Sequence, residues 1–174
     1  MGVKNMLKSF PLKKRKKQNM EVKESLSKIL PVRVNTAYST RLLSINKVLK
    51  AEAKEVLYKA GLDLANTEFE GLKAEGISNA LSLVADEYFR KGLGRLIMDG
   101  VNEKFLLVRN YECATCAAAD NDGKTHCWLD AGFIAGALKQ MLNEDYVVIE
   151  TKCCGTGSEY CEFMIAKRHR KAPK

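Results

Sequence analysis

The chain lacks a long apolar run. Nowhere in its 174 residues is there a stretch approaching the roughly 18 apolar residues of a membrane span, which excludes a membrane-embedded body. The basic N-terminus continues into Pro11 and further lysines where a secretory signal would turn apolar, so a cytoplasmic protein is expected. A convincing internal repeat is missing, and so is material for a second full core; a chain of this length predicts one domain with tails. Wholesale disorder is excluded in turn, because 46% hydrophobic and 29% charged residues suffice for a sizeable core.

Acidic residues are absent from both ends. Residues 1–20 carry seven cations and residues 167–174 carry five, while the remaining 17 bases and all 21 acids lie in residues 21–166, a body of net −4. The overall charge of +8 is thus a property of the ends. A nucleic-acid-binding fold needs its bases on a structured face, so the expected organisation is a basic disordered tail (1–20), one domain (21–166) and a basic C-terminal tail (167–174). The tails read first as solvated extensions; weak contact with nucleic acid or anionic membrane is the lesser reading, and its mark would be a steep salt dependence.

Cysteine is missing from the first 112 residues, and all six (Cys113, Cys116, Cys127, Cys153, Cys154 and Cys161) then fall within residues 113–161. In a reducing compartment disulfides are not expected, and such clustering favours a site.

Hydropathy patterning predicts a helix from about Ser39 to Gly61, with Ile45, Leu49, Val56 and Ala60 at helical spacing. A second helix carries Ile77, Leu81, Val84, Ala85 and Tyr88 and ends at Gly92 and Gly94. Arg95–Asp99 and Lys104–Arg109, separated by Asp99, Gly100 and Asn102, read as a β-hairpin. A third helix is signalled by Cys127, Ala131, Ile134, Ala135, Leu138 and Leu142, followed by a hairpin of Tyr146–Glu150 and Cys161–Ile165 around a glycine-rich turn. The order helix, helix, hairpin, helix, hairpin predicts an α+β domain with helices packed on a mainly antiparallel sheet.

The most informative spacing is Glu150-x2-Cys153-x7-Cys161 together with Cys127 at the head of the third helix. Three thiolates and a carboxylate can close the tetrahedron that zinc prefers. A regular strand would set Glu150 and Cys153 on opposite faces, so this reading requires the strand to bulge or end near Lys152. Burial of Cys127 and Cys161 as small hydrophobes stands beside it as the alternative. Cys113-x2-Cys116 is open between a redox pair, part of a metal or cluster site, and a structural turn; a zinc ribbon would need a second Cys-x2-Cys. Gly123-Lys124-Thr125 mimics the end of a phosphate loop, but the first glycine of that motif would fall at Ala118.

Across residues 38–167, and most strongly from Glu150 through Cys153, Cys154, Gly155, Gly157 and Cys161 to Phe163, the sequence resembles the 4-vinyl-reductase domain family, which also supplies the sensory domain of aromatic-responsive activators. The resemblance implies zinc held by Cys127, Glu150, Cys153 and Cys161, a fold shared with subunits of a vesicle-tethering complex, a homodimer, and a small-molecule pocket between helices and sheet. Pocket candidates are Leu81, Phe105, Leu107, Trp128 and Phe133. Members that hold a phenolic hydroxyl use a histidine and a tryptophan; here only His126, His169 and Trp128 are present, and Trp128 adjoins the zinc cysteine.

Nothing resembles a dinucleotide fingerprint, so reductase chemistry has no visible hydride carrier. The expected function is a zinc-containing domain that binds or senses a small molecule, hydrophobic or tetrapyrrole-like, with its output through a protein partner. The competing class is a reductase or redox protein using Cys113 and Cys116, with an iron–sulfur cluster as the less favoured cofactor.

Overall fold

The structure, a computed structural model, describes residues 36–101 and 105–168. Residues 1–20, expected to form the N-terminal tail, and residues 169–174 lie outside them.

The first helical stretch comprises α1 (Thr36–Leu49) and α2 (Ala53–Glu68), separated by a short 3-10 turn at Lys50–Glu52. Lys50 has a left-handed backbone, φ 51°, which interrupts the helical hydrogen-bond ladder. The buried face of α2 is Ala53, Leu57, Gly61 and Ala65, whereas Ile45 and Val56 of the expected stripe are exposed. Gly61 therefore does not stop the helix. A side chain there would put a Cβ 2.1 Å from the Leu129 carbonyl oxygen, so this glycine is needed for packing.

α3 (Ile77–Arg90) buries Ala80, Leu81, Val84 and Tyr88, as its stripe predicts, and turns out at Gly92, φ 67°. β1 (Arg95–Val101) and β2 (Leu106–Tyr111) pair antiparallel, with the register shifting between Met98 and Gly100. Asp99 and Gly100, expected in the turn, thus sit within β1 at a bulge. α4 (Trp128–Leu142) is buried nearly all round, because α2 packs on one side and α3 and the sheet on others. It ends at Asn143, whose left-handed backbone lets its N–H donate to the Lys139 carbonyl at 2.9 Å. β3 (Tyr146–Lys152) and β4 (Cys161–Lys167) complete an antiparallel sheet of order β1-β2-β4-β3. β4 takes in Lys167, the first residue of the expected C-terminal tail. The architecture is α+β, with the expected order once α1 and α2 are counted as one interrupted helix.

Val148, Val108, Phe163 and Ile165 line the inner face of the sheet and join the helices in the core. The pleat sends alternate side chains outward: next to Val108, Leu107 shares the outer face with Arg109, whose guanidinium pairs with Asp99 at 2.7 Å and Glu162 at 3.1 Å. This parity removes Leu107 from the expected pocket. Leu81 and Phe133 are filled core positions, Phe133 stacking edge-on against Phe69 with ring centroids 5.6 Å apart.

The tightest constraint on the core is the crossing of α2 and α4. A Cβ at Gly132 would lie 2.0 Å from the Tyr58 carbonyl oxygen, and one at Gly136 2.8 Å from that of Leu62. Gly→Ala inside a helix normally stabilises by roughly 0.5–1 kcal/mol. Here the methyl meets backbone that cannot rotate away, so Gly132→Ala is expected to destabilise by about 1–3 kcal/mol. Urea denaturation midpoints check this; an unchanged or raised midpoint would refute the close crossing.

Candidate metal centre

Antiparallel pairing places the end of β2, the end of β3 and the start of β4 at one edge of the sheet, with Asn110 opposite Cys161 and Lys152 opposite Glu162. β2 runs out into the loop of Cys113 and Cys116, β3 into Cys153, and β4 opens with Cys161. α4 starts at the same place, with Cys127 as its N-cap residue. All five of these thiols are buried and free. Cys154 is half-buried and belongs to neither of the ligand groups described next.

Cys127, Glu150, Cys153 and Cys161 offer ligand atoms that all lie within 4.8 Å of one another, and so do Cys113, Cys116, Cys127 and Cys161. The Cys127 sulfur lies 3.5 Å from that of Cys161, 3.9 Å from Cys153 and 3.6 Å from Cys113, while Cys116 and Cys161 are 3.2 Å apart. A tetrahedral ion bound at the usual Zn–S length of about 2.3 Å would set its sulfurs about 3.8 Å apart, so the spacing is close to that of a coordination polyhedron.

Glu150 reaches this group by the bulge that the spacing argument required. The β3–β4 register shifts between Glu150 and Lys152, which lets Glu150 and Cys153 face the same interior. Glu150 Oε2 accepts a hydrogen bond from the Cys127 N–H at 2.8 Å, capping α4 with a carboxylate. Its other oxygen, Oε1, is buried with no hydrogen-bond partner. Burial, and then the charge of Cys153, push the Glu150 carboxyl up to about 9. Hydrogen bonds from Cys116 and Cys127 hold the Cys113 thiol well below its usual range, and burial among the other thiols pushes Cys127 well above it. In the absence of metal the group therefore retains protons on some members, and an incoming cation has to displace them.

The loop of Cys113 and Cys116 is held by groups that sequence reasoning missed. Ser39 on α1 donates to the Thr115 carbonyl at 3.0 Å and accepts from the Ala118 N–H at 2.9 Å. The Ala114 N–H donates to the Leu93 carbonyl at 3.0 Å. Asp130, one turn into α4, is buried and accepts from the Tyr88 hydroxyl at 2.9 Å. An acid amid the apolar residues of α4 was the available sequence signal.

A cleft of about 730 Å³ opens between the α1–α2 junction and the segment joining Cys116 to Cys127. Leu43, Asn46, Lys47, Lys50, Lys54 and Trp128 face it, opposite a wall running from Ala118 to His126. The Lys54 ammonium stands 4.6 Å from the centre of the Trp128 ring, and His126 Nε2 lies 3.0 Å from Asp122 Oδ1. Of the expected pocket residues, only Trp128 lines this cleft; Phe105 is half-buried at the start of β2. His169, the other histidine considered, lies outside the described residues.

The 4-vinyl-reductase domain model matches residues 106–167. An uncharacterized protein of Methanocaldococcus jannaschii is 31% identical over 126 residues, covering 72% of this chain and 71% of that protein. The chain belongs to the 4-vinyl-reductase domain family. A second uncharacterized protein of the same organism is 29% identical to it over 147 residues, 84% of this chain and 82% of its own length. Among solved structures, a vinyl-4-reductase family protein from M. jannaschii is similar with a TM-score of 0.56 at 15% identity, covering 95% of this chain and 100% of that one. The phenol-responsive sensory domain of the transcription activator PoxR, solved with phenol, gives 0.54 at 15% identity over 76% and 73%. A trafficking protein particle complex subunit 3 from Naegleria fowleri, covalently bound to palmitic acid, gives 0.53 at 17% over 91% and 95%. At these identities the structural likenesses establish a shared fold.

Asp130 makes stability depend on pH. Burial first, and the nearby Cys113 charge second, push its carboxyl up to about 8, above the roughly 4 of an unfolded aspartate. The folded 4-vinyl-reductase domain therefore holds a proton that the unfolded chain releases, and stability falls as pH rises from about 4 to about 8, by up to about 1.4 kcal/mol per pH unit. Asp130→Asn is expected to flatten this slope in urea midpoints measured at pH 5 and pH 8; parallel slopes in the two proteins would refute the assignment.

Proposed function

We propose that this 4-vinyl-reductase-family chain is a cytoplasmic small-molecule-binding domain of the sensing type, whose cleft is braced by a zinc ion held by Cys127, Glu150, Cys153 and Cys161. The observation that carries the reading is the Glu150 carboxylate, which commits one oxygen to the Cys127 N–H and leaves the other buried without a partner among the thiols. Such an oxygen costs about 1–3 kcal/mol if nothing satisfies it, and a cation at this point would satisfy it. Three thiolates and a carboxylate at near-tetrahedral spacing suit zinc. Sulfurs this closely packed leave no room for the inorganic sulfide that an iron–sulfur cluster needs between its ligands. Cys113 and Cys116 are 3% and 1% exposed, which favours coordination over exchange with a soluble disulfide.

The cleft volume lies in the usual range of ligand sites. The ligand class that suits it has an apolar or aromatic body to lie against Leu43 and Trp128 and an anionic group for Lys47, Lys50, Lys54 or Lys124. Likeness of fold to a sensory domain solved with phenol supports a small-molecule role. The His126–Asp122 pair adds a polar anchor on the opposite wall, a different arrangement from a histidine–tryptophan phenol site.

Metal analysis of the anaerobically purified full chain is expected to find zinc, with Cys153→Ser losing it. Structural zinc is worth roughly 10–16 kcal/mol in small peptides, so that variant should also melt far lower, and Glu150→Gln should weaken retention less than loss of a thiolate. Native mass spectrometry of protein from its own host is expected to show a co-purified small molecule, whose affinity falls about tenfold in Trp128→Ala. A metal-free wild type, or Cys153→Ser with unchanged zinc and melting temperature, would overturn the metal assignment. A wild type with no bound molecule under native conditions would overturn the binding reading.

A further inference from the structure

The two ligand groups share Cys127 and Cys161, and together they hold six donors, too many for one tetrahedral ion. An ion in the Cys127, Glu150, Cys153 and Cys161 group leaves two more buried thiols touching its ligands. An ion in the all-cysteine group leaves Glu150 Oε1 buried and unpartnered. We propose that the site is dinuclear: two divalent, thiol-preferring cations bridged by the Cys127 and Cys161 sulfurs. Cys113 and Cys116 complete one ion, Glu150 and Cys153 the other. The proposal rests on the metal reading above and extends it.

Geometry supports two tetrahedra sharing an edge. The shared sulfurs are 3.5 Å apart, and each terminal sulfur lies near one bridge: Cys113 at 3.6 Å and Cys153 at 3.9 Å from Cys127, and Cys116 at 3.2 Å from Cys161. Edge-sharing also requires the two terminal pairs to approach from opposite sides of the shared pair. The sheet order supplies this, because β4, which begins with Cys161, lies between β2 and β3. Cys113 and Cys116 arrive from the β2 side; Glu150 and Cys153 arrive from the β3 side. With metal–sulfur bonds of about 2.3 Å, the two ions would sit about 3 Å apart across the shared edge.

Charge favours the same arrangement. Five thiolates and one carboxylate carry six negative charges into a buried site, and a single divalent cation offsets only two. Two cations offset four, and each bridging thiolate shares its charge between them, which lowers the cost of burying unpaired ions.

The test is anaerobic titration of the metal-free full-length chain with cadmium, a thiol-preferring stand-in visible by NMR as the ¹¹³Cd isotope. The expected result is a plateau at two cadmium ions per chain and two ¹¹³Cd resonances that split each other through the bridging sulfurs. Cys113→Ser combined with Cys116→Ser should plateau at one ion and lose the splitting while keeping a thiolate-shifted resonance. A wild-type plateau at one ion, or two resonances without mutual splitting, would overturn the dinuclear centre. If that single ion is lost in Cys153→Ser and kept in the Cys113→Ser, Cys116→Ser protein, the mononuclear site survives alone. No cadmium bound by the wild type would overturn both.

Discussion

The Glu150 carboxylate, buried against the first turn of α4 and bonded to the Cys127 N–H at 2.8 Å, joins the parts of this molecule that are farthest apart in construction. It belongs to a sheet edge and caps a helix. It takes a place among thiols whose burial discourages charge, and it brings one oxygen more than the helix needs. A carboxylate that deep in a core is tolerated only where both oxygens are answered. The surrounding features serve that requirement: the bulge in β3, the turn after Cys153, and the start of α4 beneath the sheet edge.

The helical layer imposes a second constraint that cannot be traded against the first. α4 can lie at the sheet edge and also cover the core only because Gly61, Gly132 and Gly136 let the backbones of α2 and α4 come close. Position along α4 sets where Cys127 sits, so the glycine crossing and the cysteine cluster are parts of one placement. Side-chain packing can relax around a lost methylene; a backbone contact cannot, which makes this crossing the rigid reference for the site.

Much of this was legible in the sequence, for reasons specific to each element. The α3 stripe and the β3–β4 hairpin followed from periodicity, and the spacing of Glu150, Cys153 and Cys161 already demanded an irregular strand end, which the register shows. The all-round burial of α4 was harder to read, because a stripe cannot reveal that a helix is covered on several sides. Gly61 read as a stop because a glycine that terminates and a glycine that admits a neighbouring backbone look alike in one dimension. The α2 face was misplaced because Ala53, Ala65 and Gly61 carry little hydropathy yet occupy the contact, while the larger Ile45 and Val56 face outward. Leu107 and the cleft escaped for a related reason: period two says that neighbours alternate, and only the packing of helices says which face is inside. The meeting of Cys113 and Cys116 with Cys127 and Cys161 depends on the β1-β2-β4-β3 order, which no local pattern encodes.

One helix has two tasks. Ser39 clasps the cysteine loop through Thr115 and Ala118, and Leu43, Asn46 and Lys47, one and two turns further along α1, form a wall of the cleft. A rigid rod that touches a cavity at one point and a hydrogen-bonded loop at another acts as a lever. A guest that pushes α1 outward pulls on the segment carrying Cys113 and Cys116, and a tightening of that segment draws α1 inward over the guest. Because α1 meets α2 at Lys50, where the helix is already broken, the lever has its fulcrum built in.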